Sequence, residues 1–276
     1  MATQTLFELP ILSSPKATTS SGTVICTTLT PGAYLLTFTA PPDNRLLTSF
    51  CQAIILALDI LEFSYPPGVV ITTSGIPKFY SNGLDLEHAS STPGFFSSSL
   101  FALFRRLLTY RMPTVALVNG HSFAGGFMLA MFHDYRIFNP TRGFLCLNEL
   151  DLGVPLKPAM SSIFRQKLSP QVYKVLVLEA KRFGGKEAFE NGIVDGLGGM
   201  EEAMKLVIER KLAEKGKTGV YGLLKAEMFR ETLGYLEDHK KEEERSRVEN
   251  GKNDERRQAA LTRADEWKIN NLKSKL

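Results

Sequence analysis

Hydrophobic and polar positions change period repeatedly along the chain, and each change marks a different predicted element. Runs rich in β-branched and aromatic residues predict short strands, and they alternate with longer runs that predict helices. The predicted strands cover residues 24–29, 34–39, 69–73, 114–118, 135–138 and 144–147. The predicted helices cover residues 46–63, 98–110, 159–168 and 171–180, and one more follows residue 125. This alternation predicts an α/β fold with mostly parallel pairing.

Composition narrows the class of protein. A chain of 276 residues that is 43% hydrophobic can bury a full core, and a net charge of +4 does not favour nucleic-acid binding. Polar residues interrupt the longest apolar helix, so we expect no membrane span. The odd number of cysteines (Cys26, Cys51 and Cys146) and the lack of a recognisable secretory signal predict a soluble, intracellular protein with reduced thiols.

The composition changes near residue 237, where charged residues of both signs begin to dominate. Such a run predicts a solvated helix face or a partly disordered tail. The last three residues, Ser274-Lys275-Leu276, match a peroxisomal targeting signal that an import receptor reads.

The pair Gly125-Gly126 stands at a predicted strand-to-helix turn. It lacks the basic residue of a phosphate loop, and neither a Gly-x-Gly-x-x-Gly nor a Gly-x-Ser-x-Gly motif is present. His121 and His133 lack partners at metal-ligand spacing, so they are interpreted as structural and no metal site is predicted. A turn that presents backbone N–H groups can instead stabilise negative charge on an oxygen. Residues 80–85 form a second glycine loop after a strand, and Glu149 supplies a carboxylate at the end of another.

Six ordered motifs together resemble the crotonase (enoyl-CoA hydratase/isomerase) superfamily, and within it the peroxisomal Δ3,Δ2-enoyl-CoA isomerases. They are residues 42–44 (PDN), 79–86 (FYSNGLDL), 118–130 (VNGHSFAGGFMLA), 133–136 (HDYR), 143–153 (GFLCLNELDLG) and 188–195 (AFENGIVD). The resemblance implies a crotonase-like spiral of ββα units over residues 1–198. It assigns residues 199–276 to a C-terminal helical region that would form a homotrimer or a dimer of trimers.

The resemblance also implies a substrate and a site. The substrate would be an acyl-CoA thioester, with no cofactor beyond the coenzyme A of that substrate, in the peroxisomal matrix. The thioester oxygen would lie between the backbone N–H groups of Asn82 and Gly125, and Glu149 would be the catalytic base. The implied substrate-binding residues are Ser81, Gly83, Leu84, Asp85, Gly126 and Met128.

Reaction type follows from what this sequence has at the family's acidic positions. Hydratases of the family carry a second glutamate where this chain has Met128, and dienoyl-CoA isomerases carry an acid where it has Lys157. One carboxylate remains, which suits a 1,3-proton shift in fatty acid β-oxidation. We expect Leu147, Leu150, Phe144 and Phe127 to desolvate Glu149 and raise its pKa. The alternatives are another crotonase-fold enzyme (a hydratase or hydrolase) and a catalytically silent acyl-CoA-binding scaffold. The scaffold stays open because Asn82 stands where many relatives have a smaller residue, so that its amide could crowd or contact the ligand.

Overall fold

The protein is described here by a computed structural model that covers residues 4–13 and 19–273. The chain divides into two compact units, one ending at Leu236 and the other beginning at Glu237. The predicted targeting tripeptide Ser274-Lys275-Leu276 lies outside the described residues.

Within the described residues the strands form two sheets. The larger contains β1 (Gln4–Leu12), β2 (Ser20–Thr30), β3 (Ala33–Thr39), β4 (Val69–Ser74), β6 (Thr114–Val118), β8 (Tyr135–Phe138) and β10 (Gly196–Leu197). The smaller contains β5 (Phe79–Ser81), β7 (His121–Phe123) and β9 (Leu145–Cys146). The first three strands pair in antiparallel fashion, and every pairing from β3 onward is parallel. The predicted α/β class is confirmed.

The helices lie between strands in the first half of the chain and form consecutive runs after β9 and β10. They are α1 (Thr48–Ser64), α2 (Leu86–Ser91), α3 (Phe101–Thr109), α4 (Gly125–Phe132), α5 (Glu149–Leu152), α6 (Pro158–Lys167), α7 (Pro170–Leu178), α8 (Gly185–Glu190), α9 (Met200–Glu209), α10 (Leu212–Lys215), α11 (Tyr221–Met228), α12 (Arg230–Glu237) and α13 (His239–Lys273). A π-helical turn, Phe96–Leu100, precedes α3, and a 3₁₀ turn, Gly216–Thr218, follows α10.

The topology repeats one unit three times. A strand of the large sheet leads to a strand of the small sheet and then to helix, in the orders β4-β5-α2, β6-β7-α4 and β8-β9-α5. Because β4, β6 and β8 are neighbours in one sheet and β5, β7 and β9 in the other, successive units stack along both sheets. The predicted spiral of ββα units is therefore present.

Most predicted elements appear close to their expected bounds. The hairpin of β2 and β3 turns at Pro31-Gly32, and α6 and α7 each begin at a proline, which fits the first turn of a helix. Strand β1 was not predicted, because its residues alternate only weakly and most are partly exposed.

The large sheet separates two apolar clusters. On β4, Val70 faces the larger cluster while Val69 and Ile71 face the smaller one, as alternation along a strand requires. Helix α9 packs into the smaller cluster through Ala203, Leu206 and Val207. The first unit consequently extends past residue 198, where the sequence analysis drew its boundary, to Leu236.

The second unit consists mainly of α13, a 35-residue helix whose described side chains are exposed or partly exposed. Intrahelical ion pairs such as Arg245–Glu249 and Lys268–Asp265 join neighbouring turns. Of the two interpretations of this charged run, the solvated helix is the one observed. Across residues 4–13 and 19–273, the helices lack the combination of length and apolar character needed to cross a membrane.

The second residue of α4 packs directly against the backbone of β5, which gives a test of the fold. A Cβ atom at Gly126 would clash with the Ser81 carbonyl. We expect Gly126→Ala to lower the free energy of unfolding by ~1–3 kcal/mol because backbone must shift, although alanine is the better helix former by ~1 kcal/mol. Urea unfolding followed by circular dichroism measures the change.

Gly234→Ala is the matched control, because Gly234 lies inside α12 with open space around the Cβ position. We expect this variant to be as stable as the wild type or more stable, by up to ~1 kcal/mol. Equal stability of Gly126→Ala and Gly234→Ala would contradict the backbone contact.

Candidate active site

A cavity of about 680 Å³ opens beside the small sheet. Its wall combines apolar side chains, among them Phe96, Leu156 and Met160, with a few polar groups. Of the predicted site residues, Asn82, Leu84, Gly125 and Glu149 line it. Among the described residues of its lining, Glu149 is the one carboxylate, and Arg45 and Lys157 are the two cations. A mainly apolar cavity with a few polar groups is typical of a small-molecule site.

Gly125 begins helix α4 at the wall of this cavity. Ala124, just before it, has a φ of 46°, which turns the chain sharply from β7 into the helix. The N–H groups of a first helical turn have no acceptor within the helix, so the Gly125 N–H is left to bind something else. A Cβ atom here would lie 3.1 Å from the Leu84 side chain and 3.4 Å from the Leu84 nitrogen. Glycine therefore allows the helix start to approach the loop after β5.

The prediction that Asn82 supplies the second oxyanion donor is wrong. Its N–H already donates to the Asp43 carbonyl at 2.9 Å. Its side-chain amide donates to Asp43 Oδ2 at 2.7 Å, so this amide is tied to the neighbouring loop. The N–H of Asn82 is consequently not available to a ligand.

Leu84 supplies the available N–H of this loop. Gly83 has a φ of +82°, and its carbonyl accepts from the Leu46 N–H at 2.9 Å. Because the N–H and C=O of one trans peptide point in opposite directions, the Leu84 N–H points away from Leu46. No acceptor among residues 4–13 and 19–273 bonds to it. The N–H groups of Leu84 and Gly125 thus lie side by side on one wall.

Glu149 projects from the first turn of α5, immediately after β9. The residue is 8% exposed, and Oε2 is buried without a partner among the described residues. Burial raises the pKa of Glu149 to about 7 from an ordinary value of 4.5, partly opposed by a hydrogen bond from its own backbone N–H. A carboxyl group with a pKa near neutrality exchanges protons readily at physiological pH.

The source of this desolvation differs in part from the prediction. Leu147 and Phe127 are buried as expected. The prediction is wrong for Phe144 and Leu150. They are 42% and 57% exposed and so do not enclose the carboxylate. Phe144 immediately precedes the buried Leu145, and Leu150 immediately follows the buried Glu149. Their side chains are therefore turned towards solvent.

The remaining predicted substrate-binding residues do not line the cavity but support the residues that do. Ser81 Oγ accepts from the Gly83 N–H at 3.2 Å, and Asp85 caps α2 by accepting from the His88 N–H at 2.8 Å. Gly126 packs on β5, and Met128 is fully buried in the core. The structure therefore places these residues outside the cavity lining, and their role in substrate binding stays a prediction.

Sequence reasoning missed three polar residues of the cavity wall: Asn148, Arg45 and Ser90. Asn148 has a buried Oδ1 atom without a partner in the described chain, next to Glu149. Arg45 donates hydrogen bonds to the loop after β5. The sequence signal for Arg45 that was overlooked is its position directly after the PDN motif, just before an apolar helix.

Metal binding has no support in the described part of the chain. Residues 4–13 and 19–273 contain no group of three or more His, Cys, Asp or Glu side chains placed to hold an ion. His133 is buried, with Nε2 beside Thr72 Oγ1 and Nδ1 beside the Leu129 carbonyl, both at 2.9 Å. Burial lowers its pKa to about 3, so the ring stays neutral.

Known proteins resemble this chain over most of its length. A family model described as Enoyl-CoA hydratase/isomerase matches residues 30–268. Enoyl-CoA delta isomerase 1, peroxisomal, of Arabidopsis thaliana is 32% identical over 72% of this chain and 87% of its own length. Enoyl-CoA delta isomerase 2, peroxisomal, of the same plant is 30% identical over 74% and 91%.

A solved structure shares the fold of this chain. The crystal structure of human mitochondrial Δ3-Δ2-enoyl-CoA isomerase superposes with a TM-score of 0.65 at 22% identity, covering 84% of this chain and 98% of that one. The matched family model spans the ββα repeats, the two glycine loops and Glu149. This chain belongs to the enoyl-CoA hydratase/isomerase family.

Proposed function

We propose that this protein is a Δ3,Δ2-enoyl-CoA isomerase of fatty acid β-oxidation that uses Glu149 as its single base. The observation that carries the proposal is Glu149, the one carboxylate among the described residues of the cavity lining, with a pKa near 7. In the same cavity lie the N–H groups of Leu84 and Gly125, which have no acceptor in the described part of the chain. The names of the two plant relatives support the reaction type. The proton shift needs no cofactor beyond the coenzyme A of the substrate.

The chemistry follows from these groups. Ionised Glu149 removes a proton from C2 of a 3-enoyl-CoA, and the electron pair of that C–H bond enters a dienolate. Negative charge collects on the thioester oxygen, which accepts hydrogen bonds from the N–H groups of Leu84 and Gly125. The same carboxyl then returns the proton to C4, which leaves the double bond between C2 and C3. The apolar wall excludes bulk water and so limits addition to the double bond.

Hydration is the second candidate, and Asn148 is the observation that favours it. Its unpartnered Oδ1 atom is suited to hold a water molecule beside Glu149. Against it, Met128 stands where a second acid would be and is buried away from the cavity. The isomerase therefore has the stronger support.

We also propose a homotrimer or a dimer of trimers. Helix α11 and the residue before it expose a cluster of large apolar side chains: Val220, Leu223, Leu224 and Met228. Exposed apolar clusters of this kind are typical of subunit contacts.

The first prediction concerns the base. We expect Glu149→Gln to lower the isomerisation rate by ~10²–10⁴-fold because the amide cannot accept the C2 proton. The assay follows trans-3-hexenoyl-CoA at the absorbance of the conjugated thioester, and calorimetry with hexanoyl-CoA measures binding, which we expect to change only a few-fold.

Asp151→Asn is the matched control, because Asp151 is an exposed carboxylate on the same helix. It should retain wild-type activity. An active Glu149→Gln variant would exclude the mechanism, and a wild type that binds hexanoyl-CoA without turnover would favour the silent scaffold. Faster hydration of 2-hexenoyl-CoA than isomerisation would favour the hydratase.

The raised pKa of Glu149 predicts how stability changes with pH. Its pKa is about 7 in the folded protein against 4.5 unfolded, so burial penalises the ionised form. This cost is absent below pH 4.5, grows as pH rises to about 7 and is then constant at about 3 kcal/mol. Urea unfolding should show Glu149→Gln gaining stability over wild type by that order between pH 4 and pH 8. A pH-independent difference would contradict the shift.

We place the proposed activity in the peroxisome, as the names of the two plant relatives suggest. Ser274-Lys275-Leu276 as an import signal remains a prediction. Removing these three residues from a chain with an N-terminal fluorescent tag should move it from peroxisomes to the cytosol, while activity of the purified protein is unchanged. Retention in peroxisomes, in cells without the full-length chain, would reject the signal.

A further inference from the structure

The loop after β5 has nearly all of its backbone groups bonded by one short segment of the chain. Residues 43–46 precede α1. They make hydrogen bonds to each of residues 82, 83 and 84. The Asp43 carbonyl accepts from the Asn82 N–H, and the Leu46 N–H donates to the Gly83 carbonyl, both at 2.9 Å. These bonds leave the Leu84 N–H without an acceptor in the described part of the chain, and this group faces the cavity.

Arg45 makes the two bonds that complete this set. Its Nη1 atom donates to the Asn82 carbonyl at 3.2 Å and to the Leu84 carbonyl at 2.9 Å. These carbonyls lie on either side of the peptide that carries the Leu84 N–H. One guanidinium group therefore bridges both ends of the segment whose middle supplies the donor.

Asp43 holds the guanidinium in place. Its Oδ2 atom accepts from Arg45 Nε at 3.1 Å and from the Asn82 side-chain amide at 2.7 Å. The Arg45 side chain is 38% exposed, so solvent screens its ion pair with Asp43 and weakens the charge attraction. The pair therefore acts mainly by fixing the orientation of the guanidinium group. The guanidinium bonds Asp43 through Nε while Nη1 bridges the two carbonyls, and a lysine ammonium, with its single nitrogen, cannot make both sets of bonds in this geometry.

The loop needs an external restraint because Gly83 lies at its centre. Glycine is required there, since φ is +82° and a Cβ atom would lie 2.7 Å from the Phe123 carbonyl oxygen. The same residue lacks the side chain that restricts backbone rotation, so the conformation of the loop here depends on bonds from outside it. A displacement of about 1 Å at a reacting group can cost ~10²-fold in rate.

We infer that Arg45 is a positioning residue that aims the Leu84 N–H at the thioester oxygen; the inference rests on the proposed function of this cavity. Arg45 acts through the loop and not by touching the reacting atoms. Its loss changes the strength of the oxyanion contact more than the affinity for the acyl-CoA.

The test compares Arg45→Gln with wild type by two readouts. Steady-state kinetics on trans-3-hexenoyl-CoA should give a kcat lower by ~10–100-fold with KM within ~3-fold, because the donor is misplaced in the transition state. The second readout is the absorbance of bound 4-(dimethylamino)cinnamoyl-CoA, whose band moves to the red when hydrogen bonds polarise its thioester carbonyl. Arg45→Gln should lose most of that red shift at saturating probe.

Arg111→Gln is the matched control, because Arg111 is 45% exposed, pairs with Glu62 at 3.7 Å and does not line the cavity. It should keep the wild-type kcat and red shift. Arg45→Lys keeps the charge but lacks the second nitrogen that bonds Asp43 while the carbonyls are bridged, and it should lie between wild type and Arg45→Gln in both readouts. This variant carries the test if Arg45→Gln does not fold.

The outcomes separate the two claims. A red shift and kcat in the Arg45 variants equal to those of Arg111→Gln, with only the melting temperature lowered, would overturn the positioning role. A wild type that shifts the probe band but does not isomerise 3-hexenoyl-CoA would overturn the proposed function. In that case the loss of the red shift in Arg45→Gln still supports the positioning role.

Discussion

Close backbone contact between two successive ββα units is the constraint on which the site depends. The start of α4 lies against the loop after β5, and three glycines make this possible. A Cβ atom at Gly83 would lie 3.0 Å from the Gly125 nitrogen, and one at Gly126 would clash with the Ser81 carbonyl. The N–H groups of Leu84 and Gly125 are consequently adjacent. Because they belong to the main chain, the two sheets set their positions before any substrate arrives.

The carboxylate that shares the cavity with these donors would gain its proposed reactivity at the expense of stability. Burial raises the pKa of Glu149 to about 7, so the group is a stronger base than an exposed glutamate and about half of it is still ionised at neutral pH. The ionised form then costs folding free energy of the order of 3 kcal/mol. The large apolar clusters on both faces of the seven-stranded sheet offset that cost. Function and stability therefore make opposite demands on the same side chain.

The sequence predicted what depends on local pattern and missed what depends on distant partners. Strands β6 and β8 and the helices that begin at Pro158 and Pro170 were recognisable, because periodicity and proline act locally. The donor was misassigned to Asn82 because its N–H bonds Asp43, 39 residues earlier in the chain. A local sequence motif gives no information about a bond between residues so far apart in the chain. Glu149 was found because an apolar strand ending in a carboxylate is itself a local signal.

The three groups that we propose to act on the substrate come from three successive turns of the spiral. Leu84 follows β5, Gly125 follows β7 and Glu149 follows β9, each two or three residues after its strand ends. These strands are neighbours in one parallel sheet, spaced by ~4.8 Å, and ligands of such sheets bind beyond the carboxyl ends of the strands. The turn after the middle strand supplies a main-chain donor that substitutions other than proline leave in place while the turn persists. Only the third turn contributes through a side chain, so the reaction type depends on that residue and on what surrounds it.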